Sequence, residues 1–495
     1  MIAAHLPALQ IVVPLVSAPL CLLLRRGGLA WALALIVSWA ALACAVLLLQ
    51  QVIATGPISY HLGGWAPPWG IEYRIDVVNG FVLVIVAAIG AAVMPYARES
   101  VAREVPEEQH ATFYTALLLC LTGLLGVTIT GDAFNLFVFL EISSLSSYVL
   151  IALGRDRRAL TAAFQYLVMG TIGATFIVIG VGLLYMVTGT LNMLDLAERL
   201  PPMAESRTVV AAFAFLTVGA GLKLALFPLH FWLPNAYAYA PSVVTAFLAA
   251  TATKVSVYIL LRFLFTVFGT TYSFELVALE NLLIPLGVVA ILVCSTVAIF
   301  QTNVKRMLAY SSIAQVGYMV LGIGFASTAG LTATIVHLFN HAMMKGGLFL
   351  ALGCMVLRLG SAQQGSLEGL GRRMPLTMFA FVLGGLSLIG VPLTAGFISK
   401  WVLVQAALER GNWFVAAVIL LGSLLAIVYI WRVVEVAYFR PAPEGDAAAK
   451  IAEAPLSMLI PTWVLIGASI YFGIHTSLTL GVAERAAQHL LGGGA

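Results

Sequence analysis

Charge is scarce in this 495-residue sequence: Asp, Glu, Lys and Arg make up 9% of it and the formal net charge is +4. Ordinary soluble domains carry roughly 25% charged residues. No basic block is present to grip nucleic acid. The five cysteines (Cys21, Cys44, Cys120, Cys294 and Cys354) all lie in apolar stretches without C-x-x-C spacing. They imply no disulfide frame and no iron–sulfur or zinc set. H-E-x-x-H and nucleotide-binding motifs are missing too. The first apolar run lacks a basic start and a small-residue cleavage site, so it reads as a retained span rather than a cleaved signal. No cofactor, metal or redox centre is expected.

What fills the sequence is apolar: 61% of residues are hydrophobic and the mean hydropathy is +1.03. Runs of about 20 residues recur from end to end, whereas the strands of a membrane barrel alternate over about ten. The class is therefore an all-α integral membrane protein, because lipid leaves backbone groups no partner outside their own helix. Spans are expected near 7–24, 28–50, 76–96, 111–130, 133–153, 160–188, 208–228, 241–268, 276–300, 306–326, 328–357, 375–408, 413–439 and 455–480, about fourteen in all.

Arginines and lysines favour alternate loops, at Arg25, Arg26, Arg98, Arg103, Arg155, Arg157, Arg158, Lys305, Arg306, Arg358, Arg372, Arg373, Arg440 and Lys450. The opposite loops hold Arg74, Arg199, Arg207, Arg410 and Arg485. The positive-inside rule makes the first set cytoplasmic and puts both termini outside. Short loops argue for one compact helical body. Residues 51–75 read as an ordered cap or hairpin on the outer face, 191–207 as a short amphipathic segment, and 440–453 as a cytoplasmic linker.

Against this background, five charged residues stand inside apolar runs: Glu141, Lys223, Lys254, Lys345 and Lys400, joined by His337 and His341. Charge at that depth is costly and marks ion paths or buried pairs. Glu141 has Ser143, Ser144, Ser146 and Ser147 close by in sequence; it could bind a proton in passing or merely lock two helices. Burial disfavours the charged form of a lysine, which makes a buried lysine a possible relay station. Lys254 is isolated, while Lys223 precedes Pro228 and Lys400 follows Gly390, Pro392 and Gly396. Helix-breaking residues at such places point to discontinuous helices lining an ion path. His337, His341 and Lys345 share one helix face at i, i+4 and i+8. They could pass protons, or the imidazoles could be structural; a metal site is disfavoured because no Glu or Cys accompanies the pair. Tyr310, Ser311, Ser312 and Gln315 could line the path or tie helices together. Arg432 and Glu435 are expected to pair within one helical turn.

The segments GDAFNLFVFLEISSLSSY, GLKLALFPLHFWLPNAYAYAP, TKVSVYILLRF, VKRMLAYSSIAQVGYM, HLFNHAMMKGGLFL and GVPLTAGFISKW together resemble the antiporter-like membrane subunits of respiratory complex I, energy-converting hydrogenases and Mrp-type cation/proton antiporters. FNLFVFLE around the glutamate and Lys400 at the last site are most similar to the D-type member of the Mrp antiporter subunits. His230 in FPLHFW departs toward the hydrogenase and complex I forms. The resemblance implies about fourteen helices with two inverted five-helix repeats. It divides the chain into N-terminal helices and outer loop (1–110), a first repeat (111–268), a second repeat (275–440), and a linker with a C-terminal helix (441–495). It also implies an entry pair Glu141–Lys223, a central relay Lys254, a connection through His337 and His341, a terminal Lys400, and Lys345 as a possible further station. The implied function is proton translocation within a multisubunit monovalent cation (Na+)/proton antiporter of a prokaryotic inner membrane. The alternatives are a proton-pumping subunit of complex I (NADH-quinone oxidoreductase) or of a membrane-bound hydrogenase, and a non-conducting scaffold. Partners would be other membrane subunits, protons, monovalent cations and lipid.

Overall fold

The computed structural model describes residues 2–442 and 451–492. Most of the expected linker at 440–453, with Lys450, lies outside the described residues. Among those described, thirteen helices are long and apolar enough to cross a membrane. The first six are α1 (Leu6–Leu24), α2 (Gly27–Thr55), α3 (Val77–Glu104), α4 (His110–Ile129), α5 (Ala133–Ala152) and α6 (Arg158–Thr188). A short surface helix α7 (Met193–Arg199) and the span α8 (Arg207–Leu224) follow, then the short α9 (Trp232–Tyr239) and α10 (Ser242–Leu261). The second half holds α11 (Glu280–Ile299), α12 (Val304–Gly324), α13 (Thr328–Leu359), α14 (Leu370–Arg373), α15 (Pro375–Ile389), α16 (Ala395–Glu409) and α17 (Trp413–Phe439). The chain ends with α18 (Leu456–Ile474) and α19 (Ser477–Leu490).

Side chains close the exposed amides of several helix starts. Asp76 and Asn79 form a reciprocal capping box on α3, and Asp132, Asn303 and Ser327 cap α5, α12 and α13. Each cap satisfies donors that the first turn leaves without an intrahelical partner. The stretch 51–75 is helical to Thr55 and then forms an antiparallel hairpin of β1 (Ile58–His61) and β2 (Glu72–Ile75). Helices α6 and α8 approach closely at Gly173 and Gly219, where an added Cβ on Gly219 would lie 2.8 Å from the Gly173 carbonyl oxygen. Helices α11 and α12 do the same at Gly287 and Gly317. Small residues at such crossings let dispersion contacts hold helices together where lipid supplies no hydrophobic drive.

Three expected spans differ in form. The run 208–228 stops being helical at Leu224, where Ala225 adopts a left-handed conformation (φ 59°), and helix resumes only at Trp232. The run 375–408 is two 15-residue helices separated at 390–394, with Gly390 at φ 92°. The run 455–480 ends as a span at Ile474, and a separate helix α19 folds back against α13 and α3. Broken helices are tolerated at this depth because neighbouring helices and side chains take up the freed backbone groups. Helices α10, α12 and α13 are enclosed by the others and carry the buried Lys254, Lys305, His337, His341 and Lys345.

Candidate functional site

Glu141 projects from α5 toward the broken end of α8. Lys223 Nζ lies 3.5 Å from Glu141 Oε1 and donates to Ser144 Oγ at 2.7 Å. The lysine side chain is 3% exposed and the glutamate 24%, so one partner is enclosed and the other reaches the protein's edge. Trp232 Nε1 donates to the Leu222 carbonyl at 3.0 Å, satisfying an acceptor near the break. The helix interruption thus leaves Lys223 at a helix end, where a cation meets outward-pointing carbonyls.

Lys254 is fully buried in α10 and donates to the Ala249 carbonyl and, at 3.3 Å, to Thr253 Oγ1. Among the described residues no carboxylate pairs with it. Along α13, His337 and His341 stack with ring centres 5.7 Å apart. His337 Nδ1 shares a 2.7 Å hydrogen bond with Ser399 Oγ of α16. Lys345 donates to the Leu308 carbonyl at 2.8 Å and to Ser311 Oγ, both on α12. His337 Nε2, both His341 nitrogens, Gln315 Oε1 and Asn340 Oδ1 are buried without a protein partner. Unpaired polar atoms inside a protein are normally satisfied by water.

Lys400 ends the series. Its Nζ donates to the carbonyls of Leu388 (2.8 Å) and Ile389 (3.0 Å), the last of α15, and to Ser423 Oγ (3.1 Å). It also sits 5.0 Å from the centre of the Tyr318 ring. The C-terminal carbonyls of a broken helix provide partial negative charge for a cation that has no acid.

All seven ionisable residues singled out from the sequence therefore lie within the helical body, and the second half draws His337, His341, Lys345 and Lys400 around α13. No direct hydrogen bond joins Lys223 to Lys254 among the described residues. Ser312 bonds back to its own helix at Leu308, whereas Ser311 serves Lys345. The expected Arg432–Glu435 pair is not formed: Arg432 donates to Gln364 Oε1 at 3.2 Å, and Glu435 lies 3.7 Å from Arg440. A loop side chain packed against α17 outcompetes the intrahelical partner.

Two further ion pairs were not expected. Arg262 Nη2 meets Asp76 Oδ2 at 2.5 Å, with both side chains almost fully buried, and His489 Nε2 from α19 lies 3.4 Å from the same oxygen. These groups line a cavity of about 720 Å³. Lys305 Nζ lies 4.0 Å from Glu104 Oε2, an oxygen that also accepts from the Ser242 backbone amide at 2.9 Å. The sequence signal for the first was a lone Arg in an apolar run; its acidic partner lies 186 residues away.

Residues 130–426 match the family described as NADH:quinone oxidoreductase/Mrp antiporter, TM. The N-type NADH-quinone oxidoreductase protein of Desulforudis audaxviator is 44% identical over 93% of this chain and 94% of its own length. The D-type Na(+)/H(+) antiporter protein of Bacillus subtilis is 30% identical over 98% and 96%. Among solved structures, a chain of the Mrp complex from Dietzia sp. superposes with a TM-score of 0.90 at 25% identity, covering 99% of this chain and 98% of that one. A chain of an archaeal membrane-bound sulfane sulfur reductase gives 0.89 at 32% identity, covering 98% of each. Thirteen membrane-long helices among the described residues, two interrupted runs, buried lysines in each half and full-length likeness to both branches agree: this chain belongs to the NADH:quinone oxidoreductase/Mrp antiporter family of transmembrane proteins.

Proposed function

We propose that this chain is a proton-translocating subunit of a multisubunit monovalent cation/proton antiporter, multi-pass in a prokaryotic plasma membrane with both termini outside. The observation that carries the reading is the succession of buried groups beyond the Glu141–Lys223 pair, Lys254, His341, His337, Lys345 and Lys400, none of which pairs with an acid among the described residues. A lysine without a carboxylate is free to exchange its proton, because no fixed counter-charge holds it in one state. In this reading Glu141 and Lys223 take up the proton, Lys254 relays it, His341 and His337 carry it onward with Lys345 beside them, and Lys400 delivers it to the opposite side. The expected repeats, 111–268 and 275–440, each contribute one broken helix. A scaffold is disfavoured because burying so many ionisable groups without use is costly.

A specific observation favours a second reading within the same family. The 44% relative is named as a component of NADH-quinone oxidoreductase, and His230 in FPLHFW resembles the hydrogenase and complex I forms. There, redox chemistry in partner subunits would drive the same path.

Reconstitution tests the assignment. The chain with its co-encoded membrane partners should give cation-dependent proton exchange in vesicles, and the chain alone should give none. Robust exchange by the single chain would overturn the multisubunit reading. Quinone-linked proton movement without sodium dependence would select the second reading.

A further inference from the structure

On α5, Glu141, Ser144 and Tyr148 follow at i, i+3 and i+7 and so share a face. Helical side chains lean toward the helix N-terminus, which tips the Tyr148 ring back toward Glu141. Its hydroxyl is buried and has no protein partner. It lies against Gly170 of α6, where a Cβ would be only 2.0 Å from that oxygen; any side chain at 170 would expel the hydroxyl. The Tyr148 ring meets Tyr166 edge-on with centres 4.7 Å apart, and Tyr166 stacks on Trp232 at 3.9 Å. Trp232 opens α9, whose Tyr237 carries a second buried hydroxyl without a protein partner. Helix α9 packs against α6, the helix that carries Tyr166. Directly after Tyr237, residues Ala238–Pro241 line a cavity of about 330 Å³ that also holds Glu104 and Lys305. By loop charge this cavity is on the cytoplasmic side.

The geometry points to a hydroxyl relay, Tyr237–Tyr166–Tyr148, that supplies protons from the Glu104–Lys305 cavity to the Glu141–Lys223 pair. The inference rests on the translocation reading and adds the route by which its first pair is loaded. A hydroxyl can donate and accept at once. As an incoming proton binds one oxygen, the O–H proton already there passes to the next acceptor, with water bridging gaps between rings. Each hop forms one O–H bond and breaks one, no electrons change hands, and the Glu141 carboxylate is the last acceptor. Two buried hydroxyls that find no protein partner are what such a file requires, since a hydroxyl fixed to a backbone carbonyl cannot turn.

Tyr→Phe substitution removes each oxygen and keeps the ring, so packing with Tyr166 and Trp232 survives. In vesicles of the assembled complex, Tyr148→Phe and Tyr237→Phe should slow proton transport at least tenfold when the side bearing residues 238–241 is alkaline and proton supply limits. The deficit should shrink as that side is acidified. Rates within twofold of wild type at every pH, alongside an inactive Glu141→Gln, would overturn the relay and leave the translocation reading standing. A pH-independent loss in both variants would also overturn it, since that marks a packing role. Normal transport by Glu141→Gln itself would instead strike at the underlying reading.

Discussion

Replacing Glu141 by Gln removes one negative charge and preserves size and hydrogen-bonding capacity. At the observed 3.5 Å separation from Lys223, the attraction lost is roughly 5 kcal/mol at an effective dielectric of ~20. Desolvation offsets part of this, and Ser144 at 2.7 Å remains to hold the ammonium. Glu141→Ala is the poorer probe, because removing one partner of a buried pair typically costs about 3–5 kcal/mol and can unfold the protein. The partial exposure of Glu141 places its own cost toward the low end. A switching pair requires a carboxylate that alternately holds and releases Lys223, so the Gln variant should assemble in normal amount yet transport at least tenfold more slowly. Glu141→Asp, shortened by one methylene, should keep part of the activity with an altered pH profile. Assembly is read by size-exclusion of the detergent-extracted complex and transport by a pH-sensitive dye in vesicles. Wild-type transport by the Gln variant over the whole pH range would show that the carboxylate only ties α5 to α8.

Lys254→Ala and Lys400→Ala should each cut dye-reported transport at least tenfold with the complex intact, since neither leaves a carboxylate unpaired; near-normal rates in both would dismiss the relay. For Asp76 and Arg262, 2.5 Å apart and enclosed, Asp76→Asn should cost about 3–5 kcal/mol and lower the melting temperature of the purified complex. The double variant Asp76→Asn/Arg262→Met, which keeps an oxygen to cap α3, should recover much of that loss, and an unchanged melt for Asp76→Asn would contradict the assignment of a stabilising pair. Gly396→Ala places a Cβ 1.8 Å from the Ser387 carbonyl oxygen, so α15 and α16 cannot keep their present break. The amount of assembled protein should fall, while Gly28→Ala, which meets nothing within 4 Å, should leave it unchanged.

Composition and run length by themselves determined that this is a helical membrane protein, since only helices satisfy the backbone over apolar stretches of that length. They located nearly every span, because the polar turns between runs are unambiguous in so apolar a chain. Isolated charge in apolar runs likewise exposed Glu141, Lys223, Lys254, Lys345 and Lys400, for burial cost depends on sequence depth and needs no knowledge of the partner. Partners were another matter. Asp76 joins Arg262 and His489 across 186 and 413 residues, and Glu104 joins Lys305 and the start of α10; no local spacing encodes such meetings. Arg432 went to Gln364 rather than to Glu435 for the same reason. Where a helix breaks was legible from Pro228, Gly390 and Pro392, but what the break does was not. That Lys400 rests on the carbonyls of Leu388 and Ile389, and that Tyr148 reaches into the space left by Gly170, follows from the packing of α15 on α16 and of α5 on α6. Tertiary structure alone decides which side chains fill the room that a missing Cβ or an interrupted helix leaves.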